Sequence, residues 1–84
     1  MSAPNWRLGD NHTPKQWANK MAAREWTPDQ ITEAMQGGKQ FVAVNNVNPG
    51  NGATRYVHPT TGRSVVVDQS TGEVLHVGGD GYVY

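Results

Sequence analysis

Residues 52–77 read GATRYVHPTTGRSVVVDQSTGEVLHV. The spacing predicts three short strands joined by two tight turns. Val65, Val66 and Val67 form a continuous β-branched run, the pattern of a strand buried on both faces. Pro59-Thr60-Thr61-Gly62 precedes that run and Asp68-Gln69-Ser70-Thr71-Gly72 follows it. Each turn ends in a glycine suited to positive φ. The strand before the first turn, Ala53 to His58, gathers Thr, Arg, Tyr and His. Packing alone does not require that chemistry, so this strand is the expected wall of a site.

Working outward, Asn45 to Gly52 (NNVNPGNG) is a loop whose Asn and Gly content permits left-handed backbone and leaves amides for other work. It reads either as a plain connection or as a cradle for phosphate. Lys39 to Val44 alternates in part and is the expected first strand. Gly37-Gly38 ends a helix that begins at Thr27-Pro28, where Gln30 completes a capping box. An earlier helix starts at Thr13-Pro14 and places Trp17, Ala18, Met21 and Ala22 at helical spacing. Lys20 and Arg24 are four apart and share a face. Residues 1–12 have little periodicity and read as a linker or tail. Beyond the turn at residues 78–81, Tyr82-Val83-Tyr84 is expected to add a short closing strand. Two helices followed by a strand meander indicate an α+β sandwich: two N-terminal helices packed on a sheet of four to five antiparallel strands. A ligand would lie on the sheet face away from the helices.

The chain has 84 residues, enough for one small domain, here residues 13–84. It has no cysteine, so no disulfide or thiolate site braces it. The expected core is Trp17, Met21, Trp26, Ile31, Met35, Phe41, the valine strand, Leu75 and the aromatic C-terminus. No stretch reads as a signal peptide, and no apolar run approaches the roughly 18 residues of a membrane span. Seven Lys and Arg balance seven Asp and Glu. That balance argues against a general nucleic-acid coat. The charge is uneven, however: residues 34–67 hold no acid but include Lys39, Arg55, His58 and Arg63. A neutral chain can therefore present a basic face.

His12, His58 and His76 lack short-spaced partners, so no metal site is expected, and no cofactor. There is no nucleophile elbow and no Walker-type loop. What remains is phosphate chemistry without metal. Cleaving RNA needs a base for the 2′-hydroxyl, cationic donors for the crowded phosphorus and an acid for the leaving 5′-oxygen. Arginine fits phosphate through two parallel hydrogen bonds. An unperturbed imidazole can give or take a proton near neutral pH, so His58 is the expected proton-transfer group, in competition with a plain role capping its turn. Alternation puts Arg55 and His58 on opposite faces. The aliphatic pair Ala53 and Val57 suits the core, which sends Thr54, Tyr56 and His58 to the open face and leaves Arg55 to emerge at an edge. Arg55 and Arg63 read as rim charges or phosphate donors, Tyr56 as core or site. His76, between Leu75 and Val77, reads as a surface partner.

The set Trp17, Met21, Arg24, Trp26, Thr27, Gln30 and Ile31, followed by GATRYVHPTTGRSVVVD and TGEVLHVGG, resembles the colicin E5-related ribonucleases. The resemblance runs from about Lys15 to Tyr84. It implies a toxin domain of the barnase/EndoU/colicin/RelE-like group, carried at the end of a larger secreted or surface-delivered bacterial protein, as in contact-dependent growth inhibition. Such domains act in the target-cell cytoplasm. They cut RNA without metal, often in a tRNA anticodon loop, leave a 2′,3′-cyclic phosphate and are neutralised by a cognate immunity protein. Arg24 matches the family's arginine before the tryptophan motif. The family's lysine falls at Gln16 here, with Lys15 beside it and Lys20 a turn nearer Arg24. Lys15 and Lys20 are its candidate replacements. Lys39 and Thr54 lie in segments like the family's cleft. Arg55, Tyr56, Thr60 and Arg63 complete the expected substrate-binding set. The alternative is a non-catalytic RNA- or protein-binding module on the same face.

Overall fold

Thr13 and Thr27 start the two helices in the same way. Each hydroxyl accepts a hydrogen bond from the backbone N–H three residues on, and the glutamine there reaches back to the threonine N–H. A proline follows each cap, where its missing N–H costs nothing. The computed structural model describes residues 6–80. It contains β1 (Arg7–Leu8), α1 (Pro14–Ala23), α2 (Pro28–Gly37), β2 (Lys39–Ala43), β3 (Ala53–Val57), β4 (Ser64–Asp68) and β5 (Glu73–Val77). The strand expected at Tyr82-Val83-Tyr84 lies outside the described residues.

The strand order is β1-β5-β4-β3-β2. β2 to β5 form the expected antiparallel meander. β1 pairs in parallel with β5, so the sheet is mixed and not purely antiparallel. This corrects the reading of residues 6–12 as a linker. Gly9 N–H donates to the Val74 carbonyl, and Trp17 Nε1 donates to the Gly9 carbonyl at 2.7 Å. A two-residue strand is too short for its alternation to stand out in sequence.

β4 is central and all five of its residues are buried, as its valine run implies. Val65 and Val67 join Trp17, Met21, Trp26, Ile31, Ala34, Val74 and Val77 beneath the helices. Val66 joins Ala53 and Leu75 on the second face. Phe41 does not enter the core: it is 44% exposed on β2, the edge strand. The helical layer leaves that edge bare, with Val42 94% and Val44 78% exposed. Gly38 lets α2 turn straight into β2, since a Cβ there would collide with the carbonyl oxygens of Val57 and Ala34.

Candidate functional site

The faces of β3 are the reverse of the expected ones. Tyr56 pairs in register with Val65 and packs on the core beneath the helices. Thr54, opposite Val67, points the same way and accepts from Gln69 Nε2. Ala53 and Arg55 belong to the second face. Ala53 is buried there in a cluster with Val66 and Leu75, against which Ala43 packs. A small aliphatic residue therefore did not mark the helix side.

His58 also points toward the helices and is 5% exposed. Its Nδ1 accepts from the N–H groups of Thr60 and Thr61, so Nε2 carries the proton and donates to Glu33 Oε1 at 3.0 Å. Both ring nitrogens thus serve the turn and its junction with α2. Thr60 contributes its backbone to that turn. Arg63 is taken up by carboxylates: Nε donates to Asp80 at 2.7 Å and Nη2 to Glu25 at 2.9 Å. The two acids raise its pKa, the hydrogen bond to Asp80 acting most strongly. Arg63 also reaches the carbonyl of Glu25, a residue held at φ 58 where α1 ends. It is a clamp between loops, not a phosphate donor.

The Asn-rich loop is likewise a fixed connection. Asn45, Asn48 and Asn51 all aim their side-chain amides at Asp68 Oδ2. Ser70 and Thr71 N–H groups donate to Asp68 Oδ1. Burial opposes ionisation of Asp68, but the hydrogen bonds from Asn51, Asn45, Ser70 and Thr71 outweigh it and hold the carboxyl well below its usual range. A carboxylate already fills the place that a phosphate would take.

The second face of the sheet carries an open cleft of about 570 Å³. Val66 and Leu75 line its apolar part, with Arg55, His76, Asn11 and Asn46 as its polar lining. A β-bulge shapes it: Val67 pairs with Val74 while Val66 pairs with His76, leaving Leu75 as the extra residue. Alternation alone would send Leu75 and His76 to opposite faces. The bulge brings both to the cleft. Asn11 Nδ2 donates to the Leu75 carbonyl and ties the segment before α1 to the bulge.

Basic side chains act on His76. Burial, then Arg24, Lys20 and His12, lower its pKa below the usual imidazole value, which keeps the ring neutral at neutral pH. Arg24 is the C-cap of α1, and its Nη1 donates to the Val77 carbonyl at 2.7 Å, fixing the guanidinium at the end of β5. His12 stacks edge-on against Trp17, ring centroids 4.9 Å apart. Lys20 is one turn before Arg24. Lys15 lies about 140° round the helix from Lys20 and does not share that face.

Arg55 stands in the same row. Phe41, Arg55, Val66 and His76 are successive partners across β2, β3, β4 and β5. Strand spacing puts Arg55 about 10 Å from His76. Lys39 is on the Phe41 side of β2 by alternation. Of the expected site residues, Arg24 and Lys20 come together, with Arg55 in the row and Lys39 two residues from its Phe41 end; Lys15, Thr54, Tyr56, His58, Thr60 and Arg63 lie elsewhere. Sequence reasoning passed over His12 and His76. A His flanked by Leu and Val reads as bland until the bulge is known.

Among the described residues no group of three or more His, Asp or Glu side chains is gathered as for a metal ion, and no helix is long and apolar enough to cross a membrane. No family model and no characterised protein matches this chain, and no solved structure matches its fold.

Proposed function

We propose that this domain is a metal-independent endoribonuclease that cuts tRNA from the second face of its sheet. The observation that carries the reading is the gathering of His12, Lys20 and Arg24 around a half-buried His76 whose pKa is lowered. A neutral imidazole accepts the proton of the 2′-hydroxyl. The 2′-oxygen then attacks phosphorus, the bond to the 5′-oxygen breaks, and a 2′,3′-cyclic phosphate remains. His12 returns a proton to the leaving oxygen. Arg24 and Lys20 hold the charge that builds on the phosphoryl oxygens. The proton-transfer role passes from His58 to His76, because both nitrogens of His58 are engaged away from the cleft.

The resemblance to colicin E5-related ribonucleases supports the same reading, since it also selects Arg24. With it come the toxin role, delivery within a larger bacterial protein, the target-cell cytoplasm as the place of action, and a cognate immunity protein. The bare β2 edge, with Val42 and Val44 exposed, suits a protein partner. That edge also favours the second reading, a non-catalytic binding module. Incubating the purified domain with bacterial tRNA in EDTA decides between them. Discrete cuts ending in cyclic phosphate, lost with Arg24→Ala, are expected. Intact tRNA from folded protein would leave the binding module.

A further inference from the structure

Phe41 is the single phenylalanine of the chain, and nearly half of its surface is open. An aromatic ring left on an edge strand beside a cleft is poorly placed for stability. Its partner is specific: the Arg55 guanidinium lies 4.4 Å from the ring centroid. Arg55 Nη1 also donates to Ser64 Oγ at 2.9 Å, which fixes the guanidinium against the ring. The two residues are opposed in register and begin the row that ends at His76. Arg55 itself lines the cleft. Aromatic faces and guanidinium planes are the surfaces on which unpaired bases stack.

We propose that Phe41 and Arg55 form a stacking platform for one unpaired base, so that the RNA is taken as a single strand with its scissile phosphate at His76. This inference rests on the reading of the second sheet face as an RNA site. A base inside a duplex keeps its faces against its neighbours and cannot reach such a platform. The separation of about 10 Å between Arg55 and His76 matches a splayed strand crossing the sheet. Lys39, on the same side of β2, adds a cation where the strand passes the edge.

The test separates the platform from the chemistry. Phe41→Leu keeps apolar bulk but removes the aromatic face; Phe41→Trp keeps a face. The position is partly exposed, and circular dichroism checks that both variants fold. Binding is measured by fluorescence anisotropy with a short labelled 2′-O-methyl RNA, which cannot be cut. Base stacking on an aromatic side chain gives a loss of about tenfold or more for Phe41→Leu. Phe41→Trp should bind within about threefold of the native protein by the same principle. The blunt duplex of that sequence should fail to compete. Equal binding by native and Phe41→Leu proteins, or no binding by the native protein, would overturn the platform. Binding that depends on Phe41, with tRNA left uncut, would uphold the platform and remove the nuclease.

Discussion

Two turns of this molecule share one design and differ in the residue at their head. His58-Pro-Thr-Thr-Gly62 joins β3 to β4; Asp68-Gln-Ser-Thr-Gly72 joins β4 to β5. In both, the first side chain accepts from the N–H groups two and three residues on. In both, the glycine N–H donates to the first carbonyl at 3.0 Å, with φ of 73° and 76°. In both, the threonine hydroxyl accepts from the N–H after the glycine. A neutral imidazole nitrogen and a carboxylate oxygen are thus interchangeable as turn heads. What differs is the atom left over. Asp68 has a second oxygen with charge, and it collects three asparagine amides and anchors a distant loop. His58 has a second nitrogen with a proton, and it docks on Glu33 of α2. The local turn is fixed by the first acceptor; its tertiary attachment is fixed by the second.

The largest effect is expected from Asp68→Ala, which leaves five donors without their acceptor. Thermal unfolding should place it below every other turn variant. A stability near that of His58→Ala would mean that the asparagine loop is not anchored there. Acid tests the same carboxylate. Its folded pKa is depressed from 3.8, so its contribution is whole above that pH and is lost as the pH falls below it. Stability curves of native and Asp68→Asn proteins should therefore converge as the pH drops below 3.8.

His58→Ala should cost about 2–3 kcal/mol, because two backbone N–H groups lose their acceptor in a partly buried turn. His58→Asn supplies an oxygen near Nδ1 and should recover at least about half of that loss, read from urea midpoints. Equal losses for the two variants would break the analogy between the turns. The smallest effect belongs to Gly62→Ala. Open space surrounds that position, so the cost is backbone strain alone, about 1 kcal/mol. A larger loss in the urea midpoint would point to a contact at Gly62.

Much of the fold was legible because its signals are local. The valine run, the two turn glycines and the Thr-Pro helix starts need only neighbours within a few residues. The proposed site was legible in part. Arg24 and Lys20 announce a shared face through helical spacing, which needs no tertiary knowledge. The faces of β3 were not legible, since Ala53 is buried against Val66 and Leu75 on the face away from the helices. His76 was hidden for a different reason: the bulge at Leu75 carries no glycine or proline, and it changes the parity of every residue after it. Phe41 reads as core because an edge strand has the same composition as an inner one.

The proposed chemistry assigns proton transfer to His76 and not to His58. The direct measurement is the pH profile of tRNA cleavage in EDTA by native, His76→Gln, His58→Asn and Lys20→Gln proteins. His76→Gln should abolish cleavage, and folded His58→Asn should keep it. An acid limb below pH 6.5 is expected for the native protein, because burial and then the nearby cations depress the His76 pKa. Lys20→Gln should move that limb upward by removing one of those cations. Cleavage that survives His76→Gln and disappears in folded His58→Asn would contradict that assignment.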